Sequence, residues 1–281
     1  MAFLLCVPLA AGTLGAVSAC TPDDAGDGSG GTVAQSETAD AEPVSFTGLD
    51  QVTVTDDYAV NALEKEADYL LLLDADRLLA GFYANSSLGS NGSSVYGGGW
   101  EGALIGGHTM GHYLSALSQA VANAGMPEDR RAELAQKLGY IVDELKKCQD
   151  AYDAEHGAKE GFLWGAKVVS AANVEIQFDN VEQGRADINT QAWVPWYTMH
   201  KIIAGLLDAY TLGGNETALT VVRKLGDWVC DRVGGWNAAT QRTVLAIEYG
   251  GMNDCMYNLY AVTGEEKYAA AAHMFDEESL F

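Results

Sequence analysis

The chain has 281 residues with 39 Asp and Glu against 16 Lys and Arg, a net charge of −23 with neutral histidines, and 48% hydrophobic residues. This acidity repels phosphate backbones and argues against a nucleic-acid groove, while the apolar content is too high for a disordered chain. Thirty-two glycines without a repeating period and only five prolines exclude a collagen-like protein and fit a loop-rich globular one of one or two domains.

Residues 1–20, MAFLLCVPLAAGTLGAVSAC, form an apolar run of signal-peptide length that is short for a membrane span. Its end, Val17-Ser18-Ala19-Cys20, resembles the lipobox of bacterial lipoproteins, with small residues before a cysteine that takes the lipid. This predicts an exported protein, at the cell surface or outside the cell, that meets a membrane only through an anchor on Cys20. An ordinary cleaved signal is the alternative, and no Lys or Arg precedes the apolar run. Residues 21–45 are rich in Gly, Ser, Thr, Asp and Glu and read as a flexible acidic linker. Ten acidic residues occur before the first basic one, Lys65. The domain expected to follow covers 46–281.

From Tyr58 to Ala84 the apolar positions Leu63, Ala67, Leu70, Leu71, Ala75, Leu78 and Leu79 recur every three or four residues and predict one long amphipathic helix. A glycine-rich stretch, 90–107, precedes a helix over 109–124. Gly125 ends that helix, and Pro127, Glu128 and Asp129 open the next, whose stripe is Leu134, Leu138, Ile141, Val142 and Leu145. The same unit recurs over 200–212 and 218–233, broken by Gly213-Gly214-Asn215, and over 252–262 and 265–275, broken by Thr263-Gly264. Three helical hairpins with short glycine turns on one side and long connections (150–195, 234–251) on the other suit part of a ring of hairpins with functional loops on one face.

Loops and their immediate ends hold Trp100, Trp164, Trp193, Trp196 and Trp236, five of the six tryptophans. Each is either an aromatic wall of a ligand pocket or a plug fixing a loop to the helix ends; Trp100 and Trp193, beside polar clusters, are read as walls. Cys148, Cys230 and Cys255 lie in apolar helical contexts without CxxC spacing and read as small buried hydrophobes.

Three polar clusters share one pattern, a glycine or proline opening followed by polar residues in a first helical turn. The first is Trp100-Glu101 with Gly106-Gly107-His108-Thr109-Met110-Gly111-His112. His108 and His112 share a helix face, but the glutamate of the HExxH zinc motif is absent, so these two alone are not read as a metal site. His108 is read as a hydrogen-bonding group at the helix mouth and His112 as a structural histidine. The second cluster is 193–201, with Trp193, His200 and Lys201; the third is 248–254, with Glu248, Asn253 and Asp254. A radial arrangement of hairpins brings all three to one mouth. Aromatic walls with carboxylates suit glycoside chemistry, in which one acid protonates a leaving oxygen and another group attacks or activates water. Capping of helix N-termini by Glu101, Glu248 and Asp254 is the alternative.

The stretches GGWEG, GGHTMGHYLSAL, WVPWYTMHKIIAGLLDAYTLGGNETAL and YGGMNDCMYNLYAVTGEEKYAAAA resemble the N-terminal half of the β-L-arabinofuranosidase-type glycoside hydrolases, family 127 and its relative family 146. The resemblance covers residues 58–281. It implies an all-α (α/α)6 toroid, about seven of whose twelve helices are expected in this chain, and hydrolysis of terminal β-L-arabinofuranosyl residues of plant-type oligosaccharides or polysaccharides. It also implies a cysteine thiolate nucleophile held on zinc, with a glutamate as acid/base. The family's Glu-Thr-Cys stretch and Cys-Cys pair do not occur in these residues, so the zinc ligands and the catalytic residues are expected downstream of residue 281. Asp254 replaces the usual glutamate of the GGMNE motif, and Cys255 stands where the family carries an aliphatic residue. The resemblance thus carries over a substrate-side wall of Trp100, Glu101, His108, Trp193, His200, Asn253 and Asp254. Two other readings remain, a metal-independent carboxylate glycosidase on the same fold and a non-catalytic glycan-binding surface lipoprotein.

Overall fold

The computed structural model describes residues 47–157, 160–170 and 172–278. The expected export signal, Cys20 and the linker lie outside the described residues.

Among the described residues a short 3-10 turn, Leu49–Gln51, precedes ten α-helices: α1 Asp57–Leu72, α2 Ala75–Ala84, α3 His108–Ala122, α4 Glu128–His156, α5 Ile176–Glu182, α6 Pro195–Thr211, α7 Glu216–Gly234, α8 Ala238–Ile247, α9 Met252–Thr263 and α10 Glu266–His273. The architecture is all-α, with no strand among the described residues. The three expected hairpins are α3/α4, α6/α7 and α9/α10. In the second, the Asn215 side chain accepts the Ala218 N–H and caps α7. In the third, Gly264 ends α9 in the left-handed conformation at φ 70°, which glycine adopts without a Cβ penalty.

The single long helix expected over 58–84 is two helices. Leu73 turns to ψ 131°, and Asp74 caps α2 by accepting the Asp76 N–H at 3.0 Å. The apolar repeat runs unbroken across this point; the break is stabilised from outside the segment. Lys137 of α4 donates to the carbonyls of Leu70, Leu71 and Leu73, Tyr113 of α3 donates to Leu70 O, and the Asp74 N–H donates to the Tyr96 hydroxyl at 2.8 Å. The last carbonyls of α1 therefore have partners without a continuing helix. Burial pushes the Lys137 amine down and the Tyr113 hydroxyl up. The connections expected to be loops carry helices of their own, α5 within 150–195 and α8 within 234–251, and α6 begins five residues before His200 because Pro195 is already set for a first helical turn.

α3 and α6 pack backbone to backbone. A Cβ on Gly111 would lie 2.0 Å from the Lys201 carbonyl oxygen, and one on Gly205 would lie 2.4 Å from that of Gly111. Only glycines permit this approach, and it fixes the first turns of α3 against the middle of α6. The expected stripe of α4, Leu134 to Leu145, is fully buried. An aromatic stack fills the space between α5, α6 and α7: Phe178 lies 4.8 Å from Trp196, 5.0 Å from Trp164 and 5.1 Å from Trp228, and Trp196 lies 4.9 Å from Phe275. Trp164 and Trp196 are each 2% exposed, so these two rings are core and not pocket walls. Trp236 packs on Trp196 and donates its indole N–H to Glu182. Among the described residues no helix is long and apolar enough to cross a membrane.

Candidate functional site

The N-termini of α3, α6 and α9 meet at one end of the bundle, and the three polar clusters come with them. α1, α2, α7 and α8 are capped by their own Asp56, Asp74, Asn215 and Asn237. α3, α6 and α9 have no such cap, and two carboxylates reach α3 and α6 from elsewhere. Glu101 Oε2 accepts the Gly107 N–H at 3.1 Å, and Glu248 Oε2 accepts the Tyr197 N–H at 3.1 Å. For these two residues the capping alternative describes the contact made. It suits the partial positive charge of a helix start.

The glycines before His108 are dictated by space. Gly107 has φ 90°, and a Cβ there would lie 3.0 Å from Gly165 Cα; one on Gly106 would lie 2.5 Å from Glu101 O. The tight loop buries His108, whose Nδ1 donates to Ile105 O at 2.8 Å. That bond places a proton on Nδ1. Glu101 Oε1 lies 3.7 Å from the same nitrogen and has no hydrogen-bond partner. His108, expected to be a hydrogen-bonding group at the helix mouth, is buried, while His112, expected to be structural, is exposed with Nε2 3.4 Å from the Tyr197 hydroxyl. Shared helical spacing fixes the face, and the preceding loop, through Trp100, Glu101 and Ile105, covers its first end.

Around His108 the rings form an open aromatic corner. Trp100 lies 5.5 Å from His108 and 6.4 Å from Trp193 in an edge-on arrangement, and Tyr197 lies 6.1 Å from His108. Trp100 is 59% exposed. Such rings at a wet surface, with imidazole and phenol groups beside them, offer flat apolar faces and hydrogen-bonding edges together. Trp193 is presented by a strained turn, in which Val194 has φ 40° and ψ 60°, a conformation that a β-branched residue adopts only when its surroundings impose it.

His200 joins the corner to α9. A Cβ on Gly251, whose φ is 81°, would lie 2.3 Å from His200 Nδ1, so the loop before α9 lies directly on the imidazole. His200 Nδ1 has no partner, and burial, followed by nearby Lys201 and His112, pushes the ring down to about 4, so it is neutral at pH 7. Lys201, half-buried, lies 5.0 Å from the centre of the Tyr197 ring, and burial pushes its amine below the usual range. Glu248 is 8% exposed, and burial pushes its carboxyl up to about 8 against the lowering effect of the Tyr197 and Trp196 N–H groups. Its Oε1 is unpartnered. Asn253 and Asp254 are less central. The Asn253 amide donates to Asp276 at 3.2 Å, and Asp254 is exposed and accepts from Asn258. Sequence reasoning left Tyr197 and Gln177 unmarked, although Tyr197 lies within the 193–201 motif. Gln177 has no local signal, because its role depends on three distant segments.

Metal chemistry finds no donor set here. Among the described residues no three His, Cys, Asp or Glu side chains are grouped to hold an ion. The cysteines are dispersed over α4, α7 and α9. Burial raises the thiols of Cys148 and Cys230 to about 12 each and pushes that of Cys255 well above its usual value. Cys255 is fully buried with its thiol directed to Met252 O at 3.3 Å. A zinc-bound thiolate needs an accessible sulfur beside further ligands, and none of the three fits. Two cavities, of about 340 Å³ beside Lys224, Asp227 and Asp231 and about 520 Å³ beside Arg242, Thr243 and Ile247, include none of the residues at the corner.

The all-helical hairpin array is consistent with the helical toroid of glycoside hydrolases. The chain belongs to the β-L-arabinofuranosidase family of glycoside hydrolases, GH127, whose catalytic-domain model matches residues 51–281. Among solved structures it is similar to the crystal structure of a GH127 β-L-arabinofuranosidase from Geobacillus stearothermophilus T6, with a TM-score of 0.52 and 14% identity over 80% of this chain and 32% of that one. At that identity the likeness shows the fold, and the chain spans about a third of that relative's length. No curated protein matches it.

Proposed function

We propose that this chain forms the substrate-side wall of an exported glycoside hydrolase acting on terminal β-L-arabinofuranosyl residues of plant-type glycans. The observation that carries this reading is the corner of Trp100, Trp193, His108 and Tyr197 at the joined starts of α3 and α6. Trp100 and Trp193 offer apolar ring faces to the C–H face of a sugar, while Tyr197, His112 and the neutral His200 supply hydrogen-bonding groups to its hydroxyls. Glu101 and Glu248 hold the helix starts in register. Zinc-thiolate chemistry belongs to the family resemblance, and no step of it runs through Cys148, Cys230 or Cys255. We further propose that export ends with a lipid on Cys20, leaving residues 21–45 as a tether.

Calorimetric titration with a β-L-arabinofuranosyl oligosaccharide, set against a xylo-oligosaccharide of the same length, tests the glycan reading. Saturable binding of the first alone is expected, and equal response to both overturns it. Mass spectrometry of the mature N-terminus tests the anchor: a diacylglyceryl cysteine supports it, an unmodified one removes it.

The carboxylate reading rests on Glu248, which holds its proton at pH 7 as a general acid must. Its buried position against the α6 backbone makes it a cap, and the zinc-free mechanism accordingly ranks second. Hydrolysis of an arabinofuranoside by this chain in the presence of a chelator and a thiol alkylator would favour it.

A further inference from the structure

The geometry points to Gln177 as the positioning residue of the aromatic corner: one buried carboxamide ties together the three segments that carry Trp100–His108, the 160–170 connection and Trp193. Gln177 is fully buried. Its Oε1 accepts the Trp193 N–H at 3.1 Å, and its Nε2 donates to Leu104 O at 3.0 Å and Lys167 O at 3.3 Å. A glutamine suits this position because it presents an acceptor and two donors on one rigid plane. The next residue after Trp193 is Val194, with φ 40°, and a strained β-branched residue persists only where its neighbours are fixed independently. The Gln177 bond holds the Ala192–Trp193 peptide, one residue upstream of Val194, and the Pro195 ring restricts the peptide that follows it.

Gln177 is itself held. The Arg232 guanidinium of α7 makes three ion pairs with α5 and the residue before it, Nη1 to Glu175 at 2.9 Å, Nη2 to Asp179 at 2.6 Å and Nε to Glu182 at 2.7 Å. The same guanidinium lies 5.4 Å from the Phe178 ring and 5.6 Å from the Trp228 ring. Arg232 therefore locks α5 onto the core through a planar fork that lysine cannot reproduce. The link to Trp193 stands on this geometry alone; the effect on sugar binding rests on the glycan reading above.

Gln177→Glu in the full chain separates positioning from bulk stability. Protonated, a glutamic acid still accepts from Trp193 and donates to Leu104 O; ionised, it faces two carbonyls with no donor. Burial raises its titration above the usual carboxylate range, so about pH 5 and about pH 8 bracket the two states. The readouts are the indole N–H resonances of Trp100 and Trp193 and the affinity for methyl β-L-arabinofuranoside. At about pH 5 both match the wild type at the same pH. At about pH 8 the Trp193 resonance shifts and affinity falls about tenfold, the effect of a lost buried hydrogen bond. Gln177→Asn, one methylene short and neutral throughout, shifts Trp193 at both pH values. Leu134→Ala, a core change on α4, lowers stability without moving Trp193. A Trp193 resonance unmoved in both Gln177 variants, or moved equally in Leu134→Ala, overturns the assignment. If the wild-type chain binds no arabinofuranoside, the glycan reading fails and the Trp193 resonance alone decides the role of Gln177.

Discussion

Replacing Glu248 by Gln isolates the electrostatics of the α6 N-terminus. The wild-type carboxyl, ordinarily near 4.5, is pushed up to about 8 by burial. Above 4.5 an unfolded chain releases this proton, whereas the folded chain keeps it until about 8. The unfolded state binds fewer protons across that window, so stability is fully present below 4.5 and is lost as pH rises through 8. At about 1.4 kcal/mol per pH unit the loss is on the order of 5 kcal/mol. Glutamine retains the acceptor for the Tyr197 N–H and removes the titration. Its unpartnered NH2 adds a constant cost of about 1–3 kcal/mol. Urea unfolding at half-unit steps from pH 4.5 to 8.5 measures both terms. The difference between Gln variant and wild type is expected to move steadily in favour of the variant as pH rises. A constant difference across the range refutes the assignment of a buried, proton-holding carboxyl.

His200→Ala is expected to weaken arabinofuranoside binding by about tenfold, the scale of one lost hydrogen bond, while circular dichroism and gel filtration stay those of the wild type; unchanged affinity removes His200 from the site. The opposite pH sense applies to this residue. Its folded value near 4 lies below the ordinary 6.5, so its contribution to stability is present above 6.5 and is lost as pH falls through 4. Acid unfolding of His200→Ala is accordingly less steep over that interval. Gly251→Ala forces a Cβ toward His200 Nδ1 at a positive φ, and NMR titration is expected to show the imidazole moving up from about 4 as the contact opens; an unmoved titration contradicts the packing. Gly111→Ala meets the Lys201 carbonyl on a rigid backbone and is expected to cost about 3 kcal/mol or more in urea unfolding. A wild-type midpoint would show that α3 and α6 are not in backbone contact.

The hairpins were legible because glycine turns and apolar stripes are local signals: Gly213-Gly214-Asn215 and Gly264 stand where α6/α7 and α9/α10 turn. The break at Leu73-Asp74 was not, since its partners Lys137, Tyr113 and Tyr96 lie far along the chain. Tryptophan content did not separate a wall from a core. Trp100 is exposed, while Trp164 and Trp196 are packed on Phe178. Spacing puts His108 and His112 on one face, but only the folded loop before α3 shows that the first is the buried one. The polar clusters could be found by motif, whereas Gln177 joins them through bonds spanning 10, 16 and 73 residues, which no window along the sequence reveals.

The corner between α3 and α6 is the proposed seat of the arabinofuranosyl ring. Titrating isotopically labelled protein with methyl β-L-arabinofuranoside and following the indole and imidazole resonances tests it most directly. Trp100, Trp193 and His200 are expected to shift saturably and together while Trp164 and Trp228 in the core stay fixed. Shifts confined to other residues, or none at millimolar sugar, contradict it.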